Sequence, residues 1–145
     1  MIDEVLLRPA QPSDADELFR LASILATSAT PDREPFEHSL MMIIDDHNQR
    51  LVVAEHEAGL VGYLSGLVHP AFHANGNIGW IEELLVDQER RSRGIGRRLM
   101  DDFEAWARQT ANARYFAVAS RRAGDFYRAI GYQESAAYFK KSFER

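Results

Sequence analysis

The run Arg90-Arg91-Ser92-Arg93-Gly94-Ile95-Gly96-Arg97-Arg98 joins the end of an apolar strand to the first turn of an amphipathic helix. Its residue types suit phosphate. Gly94 and Gly96 let the backbone approach a ligand closely and adopt conformations that a Cβ would block. The first N–H groups of the helix have no intrahelical acceptor and point outward at the positive end of its dipole. Five arginines strengthen that field. A dinucleotide fingerprint would place a third glycine where Leu99 stands, and a P-loop would carry Gly-Lys-Ser/Thr after four spacer residues. Neither pattern is met, so on spacing alone the run reads either as a phosphate cradle or as a glycine turn before an exposed basic helix.

Three further side chains carry proton chemistry. Glu82 and Glu83 are adjacent in the expected strand from Trp80 to Val86. Strand alternation sends adjacent side chains to opposite faces, so at most one serves a given site. Tyr127 lies on the face Ala123, Phe126, Tyr127, Ile130, whose helical spacing suits a core phenol with its hydroxyl satisfied elsewhere. His69 and His73 are four residues apart, but Pro70 and Asn75-Gly76-Asn77 place them in a loop, where that spacing does not bring two imidazoles to one face. No metal site is expected from them. His38, His47 and His56 form no pattern.

Alternating elements must position these groups. Val5 to Arg8 predicts a short strand closed by Pro9, and Ser13 is an expected N-cap for a helix carrying Leu18, Leu21, Ala22 and Leu25. Phe36, Leu40, Ile43 and Ile44 predict a second helix after Pro31 and Pro35. Leu51–Ala54 and Leu60–Leu64, around a turn at Ala58-Gly59, read as an antiparallel hairpin. The stretch from His69 to Gly79 is expected as a loop before the strand 80–86. Ile95, Leu99, Phe103, Trp106, Ala107 and Thr110 trace one face of a long helix. Tyr115–Ala119 is a strand, Ala123 to Ile130 a short helix stopped by Gly131, and Ala136 to Phe143 an expected last strand. The order predicts a mixed α/β sheet with helices on its faces.

Composition bounds the function. The chain has 145 residues, expected as one domain over 1–145, with 17 basic against 22 acidic residues. A net charge of −5 opposes binding to nucleic-acid backbones, which draws on clustered Lys and Arg. With no cysteine, disulfide frameworks, thiolate metal sites and cysteine nucleophiles are excluded. No apolar run reaches the ~18 residues that span a bilayer, and the amino end lacks the basic region of a signal peptide. A cytoplasmic location, no membrane partner and no nucleic-acid partner are the expectations.

Arg91-x-x-Gly94-x-Gly96 after a strand ending in Leu84-Leu85-Val86 resembles motif A of the GNAT superfamily of N-acetyltransferases. Arg8-Pro9-Ala10 before an Asp-rich helix start, the Gly59-Leu60-Val61-Gly62 hairpin and Phe126-Tyr127-x-x-x-Gly131-Tyr132 are similar to other parts of that family, in order. Ser120 departs from it, standing where many members carry Asn. The carboxyl end and the His-bearing loop look most like small-amine acetyltransferases, including the aminoalkylphosphonate type.

This resemblance implies a mixed, mostly antiparallel sheet of six to seven strands with about four helices on its faces. It implies acetyl-CoA as acetyl donor and a primary amine, of a small molecule, as acceptor, attacking the thioester directly in a ternary complex. Arg91, Ser92, Arg93, Gly94, Ile95, Gly96 and Arg97 would hold the pyrophosphate. The backbone of Leu84, Leu85 and Val86, freed by a strand bulge, would hold the pantetheine arm, with Ser120 and Tyr127 completing the cofactor site. Glu82 is favoured over Glu83 as general base because it shares strand parity with Trp80, unless a bulge reverses the count. Tyr127 matches the family's general acid. Phe36, Met41, Met42, Phe72 and His73 are candidates for the acceptor pocket. A non-catalytic acyl-CoA sensor or interaction module and a protein N-acetyltransferase are the alternative readings. A homodimer is expected because such a sheet leaves edges to cover and members of the superfamily often pair.

Overall fold

The computed structural model describes residues 4–26, 30–57, 59–91 and 93–143. Strand β1 (Leu6–Pro9) is followed by helices α1 (Ala15–Leu25) and α2 (Arg33–Asp45), then by β2 (Gln49–His56), β3 (Gly59–Ala71) and β4 (Gly76–Val86). Helix α3 (Ile95–Ala111), strand β5 (Phe116–Val118) and helix α4 (Gly124–Ala129) complete the order. The strands form one sheet in sequence order, antiparallel from β1 to β4, with β5 parallel to β4.

Strand alternation divides the core into two layers. Val52, Ala54, Leu64 and Ile81 face α3, where they pack with Leu99, Met100 and Phe103, and Tyr127 of α4 joins them. Val53, Tyr63 and Leu85 face the other way, onto Leu18 and Leu21 of α1 and Leu40 of α2. Gly66 and Gly79 leave room for Phe103, since a Cβ at Gly66 would overlap its fully buried ring.

The first turn of α1 is fixed differently from expectation. Ser13 lies inside a short 3₁₀ turn, and Asp14 stands at the N-cap position of α1. Asp14 accepts two bonds of 2.8 Å from the Arg8 guanidinium and one of 2.8 Å from the Gln11 N–H, tying β1 to α1. The Arg8 hydrogen bonds hold the buried Asp14 carboxyl below its ordinary value of 3.8. A depressed folded-state value means stability that is present above about pH 4 and lost as pH falls through the folded value. Asp14→Ala is expected to cost about 2–3 kcal/mol at pH 7 by urea titration, because it leaves the Arg8 guanidinium with Glu55 and the Pro9 carbonyl as its remaining partners among the described residues. The difference from wild type shrinks below pH 4.

Two expectations fail. The stretch from His69 to Gly79 is strand for most of its length, because β3 and β4 continue as a hairpin to Ala71↔Gly76 around a 3₁₀ turn. Pro70 is tolerated there. The Val68 N–H points toward β2, to the Asn48 carbonyl, and by alternation Pro70's missing donor falls on the same side beyond the end of that strand. The sheet also has five strands among the described residues rather than six to seven. The expected strand from Ala136 to Phe143 is absent: these residues pair with no strand and their side chains are exposed. No helix among the described residues is long and apolar enough to cross a membrane.

Candidate active site

The register between β3 and β4 slips at one point. Ser65 is opposite Glu83 and Gly66 is opposite Ile81, so Glu82 is an extra residue with no partner, a β-bulge. One residue away, the β4–β5 ladder ends at Ile81↔Val118. Before the bulge, Gly79 donates its N–H to Tyr115 on the β5 side. After it, Asp87 donates to Val61 on the β3 side at 2.7 Å, so alternation turns the backbone of Glu83 and Leu85 toward β3. Leu84 and Val86 therefore present their N–H and C=O groups to the side that β5 has left. Leu85 does not; its backbone is committed to β3, and its side chain is buried beneath α1 and α2.

Helix α3 begins beside this open stretch of strand. A Cβ on Gly96 would lie 3.7 Å from Val86 Cγ2 and 3.3 Å from the Phe126 ring, so the first turn of α3, the end of β4 and α4 converge there. Gly94 caps the helix with φ of 80°, a left-handed conformation that favours glycine, and nothing lies within 4 Å of where its Cβ would be. The amides of Ile95, Gly96 and Arg97 thus emerge at an uncovered helix end, under the dipole's positive pole. Arg91 folds back so that its Nε donates to the Val86 carbonyl at 3.3 Å. Arg93 and Arg97 are exposed. Ser92 lies outside the described residues. An anion with an extended arm fits this arrangement: charge at the helix end and amide-like groups along β4.

On the opposite face of the sheet, α1, α2, β2, β3 and β4 line an open cavity of about 290 Å³. Glu83 lies in its wall, and Tyr63 donates a 2.6 Å hydrogen bond to the Glu83 carboxylate. Burial first, then the neighbouring Glu83 charge, pushes the Tyr63 phenol far above its ordinary range, so it remains a proton donor to that carboxylate. The bulge decides which glutamate reaches this space. Parity with Trp80 stops at position 82, and of the two glutamates, both exposed, Glu83 lines the cavity and Glu82 does not. Of the five candidates for the pocket, Phe36 lines it, whereas Met41, Met42 and Phe72 are exposed and outside it. His73 bonds Tyr115 across 2.6 Å at the far end of the hairpin. Tyr63 was not singled out from sequence; the signal was its place two residues before Ser65 on a strand facing α1 and α2.

The Acetyltransferase (GNAT) family model matches residues 15–132, from α1 to the residue after Gly131. The chain belongs to this family. Its fold is shared with a glucosamine-6-phosphate N-acetyltransferase from Arabidopsis thaliana, at a TM-score of 0.85 and 18% identity over 97% of this chain and 99% of that one. A ribosomal-protein-alanine N-acetyltransferase from Brucella melitensis superposes with a TM-score of 0.77 and 19% identity, covering 97% and 99%. AAC(6')-Iy, in complex with the bisubstrate analogue CoA-S-monomethyl-acetylneamine, gives 0.80 and 15%, also covering 97% and 99%. Identities this low establish fold. The acceptors named for these proteins differ widely.

The remaining candidates sit around the convergence of α3, α4 and β4. Tyr127 is 8% exposed, between the rings of Phe126 (centroids 5.1 Å) and Tyr132 (5.8 Å), and burial raises its phenol above the usual value. Its hydroxyl bonds no described residue, while every sealed side-chain polar atom among the described residues has a partner, so this hydroxyl is open to solvent. The Ser120 hydroxyl accepts the Ala123 N–H at 3.0 Å, closing the turn into α4. It serves the backbone where many GNAT members carry Asn.

Proposed function

We propose that this chain transfers the acetyl group of acetyl-CoA to a primary amine by direct attack in a ternary complex. The observation that carries the reading is the bulge at Glu82. At one step it ends the pairing with β5, frees the amides of Leu84 and Val86 beside the start of α3, and turns Glu83 into a cavity on the other face. Donor and acceptor can thus meet from opposite sides of one strand, and holding two reactants in that way removes much of the entropic barrier.

Each residue then has one task. The amides from Ile95 to Arg97, with Arg91 and Arg93, receive the pyrophosphate, and Leu84 and Val86 align the arm as a further strand would. An alkylammonium with pKa near ~10.4 must shed a proton before it can attack, at about 4–5 kcal/mol at pH 7. Glu83, oriented by Tyr63, takes it directly or through water. Tyr127 returns a proton to the departing thiolate.

Calorimetric titration with acetyl-CoA, with its 3′-dephospho form and with pantetheine tests the donor site. Micromolar binding to acetyl-CoA that collapses for pantetheine is expected. No binding to acetyl-CoA overturns the reading, and tight binding with no thiol release across an amine panel replaces it with the sensor.

The exposed tail supports pairing of two copies. Tyr138, Phe139 and Phe143 are 63%, 90% and 85% exposed, and β5 has an open outer edge among the described residues. Such apolar surface marks an interaction site, and a chain that carries both an unpaired segment and an unpaired strand edge suits exchange between copies. Sedimentation is expected to give a dimer, and Phe139→Asp a monomer; a monomeric wild type at micromolar concentration rejects this.

A further inference from the structure

The cavity behind Glu83 has a chemical character that narrows the acceptor. Among the described residues, its lining contains no Lys, Arg or His; its only ionisable members besides Tyr63 are Asp32 and Glu83. Arg33, the first residue of α2, follows Asp32 directly, and it is engaged elsewhere. Its guanidinium bonds Asp16 at 2.5 Å and Glu37 at 3.2 Å and lies 5.4 Å from the Phe19 ring centroid. The walls are apolar: Phe36, Leu40 and Ile43 from α2, Leu18 from α1, Leu51 from β2.

From this lining we infer that the acceptor is a small monoamine on an apolar aryl or alkyl body that bears no anionic group. The inference rests on the acetyltransferase reading above and deepens it. A cavity of about 290 Å³ corresponds to roughly ten water-sized volumes, the scale of a phenylethylamine rather than of a sugar oligomer. One positive charge entering an apolar cleft needs a counter-charge there, which Glu83 and Asp32 supply as the acidic residues of its lining. A phosphate, phosphonate or carboxylate on the acceptor would meet two carboxylates and no cation, so it would be desolvated against like charge. Each methylene of an apolar body buried against Phe36, Leu40 and Ile43 should raise affinity about fourfold. The same pocket that welcomes the ammonium therefore selects against the aminoalkylphosphonate and amino-sugar phosphate classes.

The test uses the full chain with acetyl-CoA, following thiol release with 2-phenylethylamine, hexylamine, 2-aminoethylphosphonate and glucosamine 6-phosphate. We expect kcat/KM for 2-phenylethylamine to exceed that for 2-aminoethylphosphonate at least 100-fold. Ser39→Arg, which puts a cation into the cavity wall, is expected to close that gap at least tenfold by favouring the anionic amine. Equal or better turnover of the two anionic amines in the wild type overturns the inference while leaving the acetyltransferase reading intact. Calorimetric titration of each amine in the presence of a non-transferable acetyl-CoA analogue separates the two failures. Binding of 2-phenylethylamine alone supports the inference even if turnover is slow, and binding of the phosphonate alone rejects it. Absence of acetyl-CoA binding removes the reading on which it rests.

Discussion

Glu83→Gln is expected to lower kcat/KM for the acceptor amine by about 10²–10⁴, the range that a general base contributes. Acetyl-CoA affinity should stay within about twofold, since the donor groups, the β4 backbone on its β5 side and the start of α3, lie outside the cavity that Glu83 lines. The argument is geometric. The Glu83 side chain lines the cavity beneath α1 and α2, held by the 2.6 Å bond from Tyr63, and a glutamine of the same shape keeps the packing while removing the proton acceptor. Tyr63→Phe should give a smaller loss, about tenfold, because the carboxylate survives but loses the donor that aims it. Glu82→Gln should change kcat/KM less than about threefold, since Glu82 is exposed on the bulge and lines no part of the cavity. Steady-state kinetics on the three variants decide the matter: a larger loss for Glu82→Gln than for Glu83→Gln would transfer the base role to Glu82. A second readout is pH. If the wild-type rate rises with pH more gently than that of Glu83→Gln, proton removal by the protein is confirmed as part of the rate; identical profiles reject it.

The contrast between the two glutamates shows where sequence reading stops. The run from Arg90 to Arg98, the α3 stripe and the signature around Tyr127 are local patterns, fixed by glycine conformation and helical period, and the structure places them where those patterns lead. The Glu82/Glu83 choice is not local. It depends on a one-residue slip between β3 and β4, which arises from pairing with residues about twenty positions earlier and reverses the face of every later side chain. The same slip explains why the backbone groups of Leu84 and Val86, but not Leu85, face the side that β5 has left. The His69–Gly79 stretch misled for a related reason: Pro and Gly signal turns when neighbours are unknown, yet Pro70 loses no ladder bond where β2 has already ended. The missing last strand is the converse case. Alternating and aromatic residues from Ala136 to Phe143 have strand propensity, but a strand also needs a partner edge, and none within the described chain pairs with it. Tyr63 and Asp32 escaped notice because a pocket wall is assembled from five separate elements.

Tyr127→Phe is expected to lower kcat by about 10–100-fold while leaving thermal stability within about 0.5 kcal/mol of wild type. Packing alone gives no reason for a tyrosine at this position. Its ring belongs to the α3-facing core and contacts Phe126 and Tyr132, and its hydroxyl bonds no described residue. The hydroxyl is open to solvent, so it adds nothing to the packing that a phenylalanine ring would not supply. Burial raises the phenol's pKa, so it is protonated throughout the working range and able to donate. The effect is set below that of Glu83→Gln because a thiolate, with a parent thiol near pKa ~8.5, leaves without full protonation, whereas an ammonium cannot attack at all until a proton is lost. Paired measurements separate a proton donor from a core residue: unchanged melting with reduced kcat supports the donor, while unchanged kcat assigns the ring to packing. The loss should also shrink for acetyl donors with more acidic thiols, because the better the leaving group, the less it needs the proton. A loss independent of the thiol's acidity would show that Tyr127 positions the donor without protonating it.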